Sequence, residues 1–119
     1  MNVIVLGASN KPDRFSYKAV DRLLQAGHTV FPVHPIIKEV LGQPVYTSLD
    51  LIKKPIDTIT LYVAAQKSTP LMSAILTMNP RRLIFNPGAE NPELEEAASD
   101  AGIKVIRACT LAMLSVGEF

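Results

Sequence analysis

A chain of 119 residues is long enough for one domain with a hydrophobic core and too short for two, so we expect one domain over residues 1–119. Hydrophobic residues make up 48% of the chain, but no apolar run approaches the roughly 20 residues of a membrane-spanning helix, which predicts a soluble protein. Twelve basic and eleven acidic residues give a formal charge of +1, which argues against a nucleic-acid partner.

The cysteine content and the N-terminal residues indicate the cellular compartment in which the protein is expected. The one cysteine, Cys109, excludes an internal disulfide and a cysteine-cluster metal site and fits a reducing cytoplasm. The apolar residues 2–6 are unlike a secretory signal, because no basic segment precedes them and Gly7 ends the run early. We therefore expect a cytoplasmic protein.

Strand and helix patterns alternate in the first third of the chain. Residues 2–6 are typical of a buried strand, and apolar residues at helical spacing from Phe15 predict a helix that ends before Gly27. A second strand is predicted at Thr29–Val33, closed by Pro35.

The middle of the chain contains more turn residues. Val45 and Tyr46 are interpreted as a short strand, and Ser48 as the N-cap of a brief helix. The β-branched run at 57–64 predicts the next long strand.

Two pairs of a cap residue and a proline, Thr69–Pro70 and Asn91–Pro92, predict the starts of two further helices. The first helix is expected to run to about Met78, and Gly102 ends the second. Strands are predicted at 82–85 and 104–106, with a short helix in the tail 110–119.

This alternation is typical of βαβ units with right-handed crossovers. It predicts an α/β fold: a Rossmann-like, doubly wound, mainly parallel sheet of about five strands with helices on both faces. In such sheets ligands bind beyond the carboxyl ends of the strands, where the strand order reverses around the first strand.

The loop after the first strand contains small residues through which a phosphate can approach the backbone, and Lys11 and Arg14 add positive charge. The alternative is a tight turn that needs Gly7 for its geometry, with solvated charges. The candidate phosphate-binding residues are Gly7, Ala8, Ser9, Asn10, Lys11, Arg14, Ser16 and Tyr17.

The loop after the second strand, Val33–Lys38, has no acid where NAD-binding proteins hold the ribose hydroxyls. His34 and Lys38 suit a phosphorylated ribose better, which argues against NAD. The alternatives are a surface histidine without a partner and a Pro35 that only ends the strand. The candidates here are Val33, His34, Pro35 and Lys38.

Two more loops lie at the same predicted edge. Val63 and Ala64 are small and apolar, which suits either an adenine ring or the core. Asn86 and Gly88 offer an amide and a flexible backbone, although a plain turn with Asn91 as helix cap explains them equally.

Together these residues resemble the small CoA-binding domain proteins, which look like the nucleotide-binding domain of the succinyl-CoA synthetase α subunit. The resemblance covers nearly the whole chain. It implies coenzyme A as the ligand, with phosphate contacts near Gly7–Ser9 and Arg14 and nucleotide contacts near Pro35, Lys38 and Val63. The residues that carry it are GAS at 7–9 with Arg14, VHP at 33–35, VYTSL at 45–49, NPG at 86–88 with Asn91, GIKVI at 102–106, and Cys109.

This chain departs from the family at two positions, because the family commonly has Asn where His34 stands and Gln where Asn86 stands. At these two positions the resemblance implies ligand contacts of the backbone only. A mixed disulfide between Cys109 and the ligand thiol is one hypothesis; the alternative is a buried small hydrophobe.

Two functions are open at this point. The first is a stand-alone module that binds CoA or an acyl-CoA without catalysis, with a protein partner or a homodimer left open. The second is a NAD(P)-type oxidoreductase, or a CoA-ligase subunit completed by a partner chain. The missing acid, and the absence of a catalytic or metal-binding motif around His28 and His34, favour the module.

Overall fold

Five parallel strands form the centre of the structure, a computed structural model that describes residues 1–119. In chain order the elements are β1 (Asn2–Leu6), α1 (Phe15–Gln25), β2 (Thr29–Val33), β3 (Glu39–Val40), β4 (Gln43–Pro44), a 3₁₀ turn (Leu49–Leu51), β5 (Thr58–Leu61), α2 (Ala65–Ser68), a 3₁₀ turn (Thr69–Leu71), α3 (Met72–Met78), β6 (Arg82–Phe85), α4 (Pro92–Asp100), β7 (Lys104–Arg107) and α5 (Thr110–Ser115).

The strand order is β2-β1-β5-β6-β7, and every neighbouring pair is parallel. The chain first adds β2 on one side of β1 and then returns to add β5 on the other, so the order reverses at β1. The predicted α/β, Rossmann-like sheet of five strands is confirmed. The carboxyl ends of β1 and β5 therefore flank the expected ligand position.

Both faces of the sheet are covered, because successive side chains of a strand point to opposite faces. Val3 and Val5 pack in a cluster with Val20 and Leu23 of α1, beside α5. Ile4 and Leu6 belong to a larger cluster that includes residues of α3 and α4. None of the helices is long and apolar enough to cross a membrane.

The predicted helix start at Thr69 and Pro70 is wrong. Helical structure begins at Ala65, and Thr69–Leu71 forms a tighter 3₁₀ turn within a continuous helical segment. Proline lacks an N–H and its ring crowds the carbonyl four residues earlier, so the chain tightens there instead of starting afresh. The Thr69 hydroxyl accepts a hydrogen bond from the Asn91 Nδ2, and the 3₁₀ turn that Thr69 begins has no side-chain cap.

The middle of the chain also differs from the prediction. The short strand expected at Val45 and Tyr46 does not form: an antiparallel hairpin of β3 and β4 directly precedes it, and Tyr46 makes only an isolated parallel bridge to Val33. Ser48 does precede a 3₁₀ turn, but its hydroxyl bonds to the Asp50 carboxylate and not to the backbone. The strand predicted at 57–64 is shorter, because the chain leaves the sheet after Leu61.

Candidate functional site

A cavity of about 700 Å³ lies at the carboxyl ends of β1 and β5, where the strand order reverses. The loops after β1, β2, β5 and β6 and the first turn of α1 form its wall. The lining residues are Gly7, Ala8, Ser9, Asn10, Lys11, Arg14, Phe15, Ser16, His34, Ile37, Tyr62, Val63, Ala64, Lys67 and Pro87.

The loop at Gly7 is held close to two neighbouring strands. The N–H groups of Gly7 and Ala8 both donate to the Val33 carbonyl at 3.0 Å. Gly7 has a φ of +90°, and a Cβ there would stand 2.6 Å from the Val63 Cγ1. The position therefore requires glycine both for its backbone conformation and for the close approach of β5.

The first turn of α1, which lines the cavity, contains backbone N–H groups without hydrogen-bond partners. Arg14 occupies the N-cap position without a side-chain cap, and the N–H groups of Phe15, Ser16 and Tyr17 donate to no protein acceptor. Free amides at the positive end of a helix attract phosphate groups.

Positive side chains reinforce these amides. Lys11, Arg14 and Lys67 line the cavity, and no carboxylate does. The wall therefore matches a ligand with several negative charges.

His34 lines the cavity and is fixed by its own loop. Its Nδ1 accepts from the backbone N–H groups of Ile36 and Ile37 at 3.0 and 3.2 Å. Accepting two N–H groups leaves the ring proton on Nε2 as a free donor. His34 is thus not a surface histidine without a partner, and its ring carries no negative charge to oppose a phosphate.

The remaining wall is apolar and comes mainly from Phe15, Ile37, Val63 and Pro87. The Phe15 side chain is 68% exposed at the cavity, although large apolar side chains are usually buried. Tyr62 also lines the cavity, and its hydroxyl is buried without a hydrogen-bond partner. Burial raises the pKa of Tyr62 to about 12, so this phenol stays neutral.

Six of the predicted site residues do not line the cavity: Tyr17, Val33, Pro35, Lys38, Asn86 and Gly88. Val33 contributes through its carbonyl, which anchors Gly7 and Ala8. The Gly88 N–H donates to the Glu90 carboxylate at 3.0 and 3.3 Å. Cys109 is half-buried at the start of α5 and does not line the cavity.

Asn86 has a structural role. It is 2% exposed, and its amide group donates to the Thr60 hydroxyl at 2.7 Å and the Leu61 carbonyl at 2.9 Å. Its carbonyl oxygen accepts from the Thr110 N–H at 2.8 Å. These bonds use the amide to join β5, β6 and α5, which leaves it no free donor for a ligand.

Sequence reasoning missed Phe15, Ile37, Tyr62, Lys67 and Pro87. Lys67 gives no signal, because the sequence predicts a loop there, before a helix expected to start at Thr69. Pro87 lies inside a loop that the sequence assigns to the site edge. The sequence indicates Phe15 as an apolar residue of α1, and only its exposure in the folded chain distinguishes it from a core residue.

Comparisons with known proteins identify the family and the fold of this chain. The family described as "CoA binding domain" matches residues 1–115. YneT of Bacillus subtilis (strain 168) is 28% identical over 104 residues, which cover 87% of this chain and 77% of that protein. A crystal structure of an uncharacterized protein is 42% identical, with a TM-score of 0.94 and coverage of 99% and 97% of the two chains.

The same fold occurs within a larger enzyme. A dinucleotide-forming acetyl-coenzyme A synthetase from Ca. Korarchaeum cryptofilum is 22% identical with a TM-score of 0.74; the match covers 90% of this chain and 25% of that one. At this identity the likeness concerns the fold alone. The family match spans nearly the whole chain, and on that ground this protein belongs to the CoA-binding domain family.

Proposed function

We propose that the cavity binds coenzyme A or an acyl-CoA and that the protein acts as a binding module. The observation that carries this proposal is the set of unpartnered α1 amides beside Lys11, Arg14 and Lys67 in a cavity without carboxylates. Coenzyme A combines several phosphate charges with an adenine ring and an uncharged pantetheine arm, for which the apolar walls formed by Phe15, Ile37 and Val63 are suited.

NAD is a poorer match to the same walls. The loop after β2 has no acid for the ribose hydroxyls, and His34 stands there with an N–H donor instead. A ligase subunit is the other alternative, since the fold also occurs inside a synthetase chain. Such a subunit would copurify with a catalytic partner.

Isothermal titration with CoA, acetyl-CoA, NAD and NADP tests the proposal directly. We expect CoA and acetyl-CoA to bind with micromolar or better affinity and NAD not to bind. Binding of NADP alone would favour an oxidoreductase, and binding of none of the four would contradict the proposal.

A matched pair of arginine variants locates the site. Arg14→Ala should weaken CoA binding by about 1 to 3 kcal/mol, since it removes a charged donor at the cavity. Arg22→Ala removes the same charge from the last turn of the same helix, away from the cavity, and should leave the affinity unchanged. Equal effects of the two variants would remove Arg14 from the site.

A further inference from the structure

Lys67, one of the three cations of the cavity, lies in α2, the first turn of the helical segment that continues through a 3₁₀ turn into α3. The α2 helix is a single turn, Ala65–Ser68, without a side-chain cap. The N–H groups of Lys67 and Ser68 both donate to the Ala64 carbonyl, at 2.9 and 3.1 Å. The first turn of a helical segment is held by few backbone hydrogen bonds, so side-chain contacts help to fix α2.

Asn91 supplies such a contact from another part of the chain. It is 2% exposed, and its Nδ2 donates to the Ser68 hydroxyl at 2.7 Å and to the Thr69 hydroxyl at 3.0 Å. Its Oδ1 accepts from the Leu94 N–H at 3.2 Å and so caps α4. One buried amide group therefore joins the start of α4 to the end of α2.

The α4 end of this link is itself well anchored. Leu94 and Ala98 of α4 are fully buried, and Glu95 accepts from the Asn91 N–H at 2.8 Å. Arg107 of β7 donates twice to the Glu95 carboxylate, at 2.7 and 3.0 Å. Asn91 is thus fixed to the sheet, while α2 has few bonds of its own.

We propose that Asn91 is a positioning residue for the ligand site: through Ser68 and Thr69 it holds α2 so that Lys67 stays in the cavity wall. Asn91 does not line the cavity, so it acts only through α2. The inference rests on the proposed function for the identity of the ligand.

The decisive variant is Ser68→Ala combined with Thr69→Val, which removes both acceptors of the Asn91 Nδ2 and leaves the α4 cap intact. We expect CoA affinity to fall by roughly three- to tenfold, the same loss as for Lys67→Ala. In a Lys67→Ala background the double substitution should cause no further loss, because a positioning effect needs the side chain that it positions.

Two control variants separate positioning from general destabilisation. Ile103→Val removes one buried methyl group between α4 and β7 without touching the link, so it should lower stability and leave the affinity unchanged. Thr69→Ser keeps an acceptor for Asn91 and should bind as wild type. Losses in the Lys67→Ala background equal to those in wild type would overturn the proposal.

Amide hydrogen exchange tests the link without a ligand. The double variant should speed exchange at Lys67 and Ser68 relative to the core amides of β5, while Ile103→Val should not. If wild type binds no CoA, the proposed function fails, and these exchange rates alone decide whether Asn91 holds α2. Unchanged exchange at α2 would show that Asn91 is only a helix cap.

Discussion

Gly7 shows how a single residue can serve both the fold and the site. Its φ of +90° is strained for other residues, and an added Cβ would stand 2.6 Å from the Val63 Cγ1 and 3.2 Å from the Tyr62 carbonyl carbon. Gly7→Ala should therefore lower the free energy of unfolding by about 2 to 4 kcal/mol, the sum of backbone strain and overpacking. Urea unfolding measures this loss.

Gly88→Ala is the matched control. Gly88 has nearly the same φ, +92°, but nothing lies within 4 Å of an added Cβ. Only the backbone strain remains, so we expect a loss of about 1 kcal/mol. Equal losses at the two positions would mean that Val63 moves aside and that the close approach does not constrain Gly7.

Tyr62 illustrates a polar group without a partner. Its hydroxyl is buried without a hydrogen bond, and the nearby Thr60 and Thr110 hydroxyls bond to each other at 2.7 Å. Tyr62→Phe should therefore leave stability at neutral pH unchanged or slightly higher.

The same variant tests the effect of alkaline pH. Burial raises the pKa of Tyr62 from 10.0 to about 12, so the stability linked to its proton is complete below pH 10.0 and is lost as the pH rises through about 12. Tyr62→Phe should flatten this alkaline loss in urea titrations. A loss of stability in the variant at neutral pH would reveal a hydrogen bond of the hydroxyl.

The predicted residues that line the cavity lie mostly in loops after recognisable strands, including His34 after β2 and Val63 after β5. Gly7, Lys11 and Arg14 belong to one loop after a recognisable strand, so their proximity followed from the fold class. The role of Asn86 depends on Thr60 and Thr110, which are distant in sequence. The sequence around Asn86 is the same whether its amide is exposed and binds a ligand or is buried in structural hydrogen bonds.

The ion pair between Glu95 of α4 and Arg107 of β7 connects a helix to an edge strand of the sheet. The hydrogen bond from Arg107 lowers the pKa of Glu95 below 4.5, and the Asn91 N–H acts in the same direction. A lowered pKa means that the pair stabilises the fold above pH 4.5 and that this stability is lost as the pH falls through the pKa of the folded state.

Glu95→Gln should therefore lower the free energy of unfolding only slightly at neutral pH, because solvent screens the exposed Arg107 side chain, and the difference should vanish in acid. Denaturant titrations at several pH values measure it. Glu93→Gln changes another carboxylate in the first turn of α4, one without an ion pair, and should not reproduce the pH dependence. A pH-independent difference would assign the effect of Glu95 to packing.

The two cap-and-proline pairs show where a local sequence pattern fails to predict the start of a helix. Asn91–Pro92 and Thr69–Pro70 carry the same cap-and-proline pattern, yet only Asn91 caps a helix, through the Leu94 N–H. The Thr69 hydroxyl accepts from Asn91 instead. The difference arises from a contact 22 residues apart in sequence, which no local pattern contains.

For the whole molecule, the alternation of strands and helices was enough to predict the architecture, because βαβ crossovers have one hand and strand-forming runs are short and buried. The region 36–54 was not predictable in the same way. Its chain is placed by bonds to β2, from the Tyr46 N–H to the Pro32 carbonyl and from the His34 N–H to the Tyr46 carbonyl. Those partners depend on tertiary structure and leave no periodic signal.

Three positive side chains of the molecule are concentrated at the cavity. The chain has a net charge of only +1, but Lys11, Arg14 and Lys67 meet in one cavity, so affinity for anions should be local rather than general. CoA at about 100 times its dissociation constant should stabilise the fold by about 2.7 kcal/mol and raise the melting temperature by roughly 10 °C. Pantetheine, which is the uncharged arm of CoA without the phosphates, should raise it far less, and added salt should reduce the CoA shift because it screens the cations. Equal, salt-independent shifts with both ligands, measured by calorimetry, would mean that the apolar wall binds the ligand and that the three cations serve another purpose.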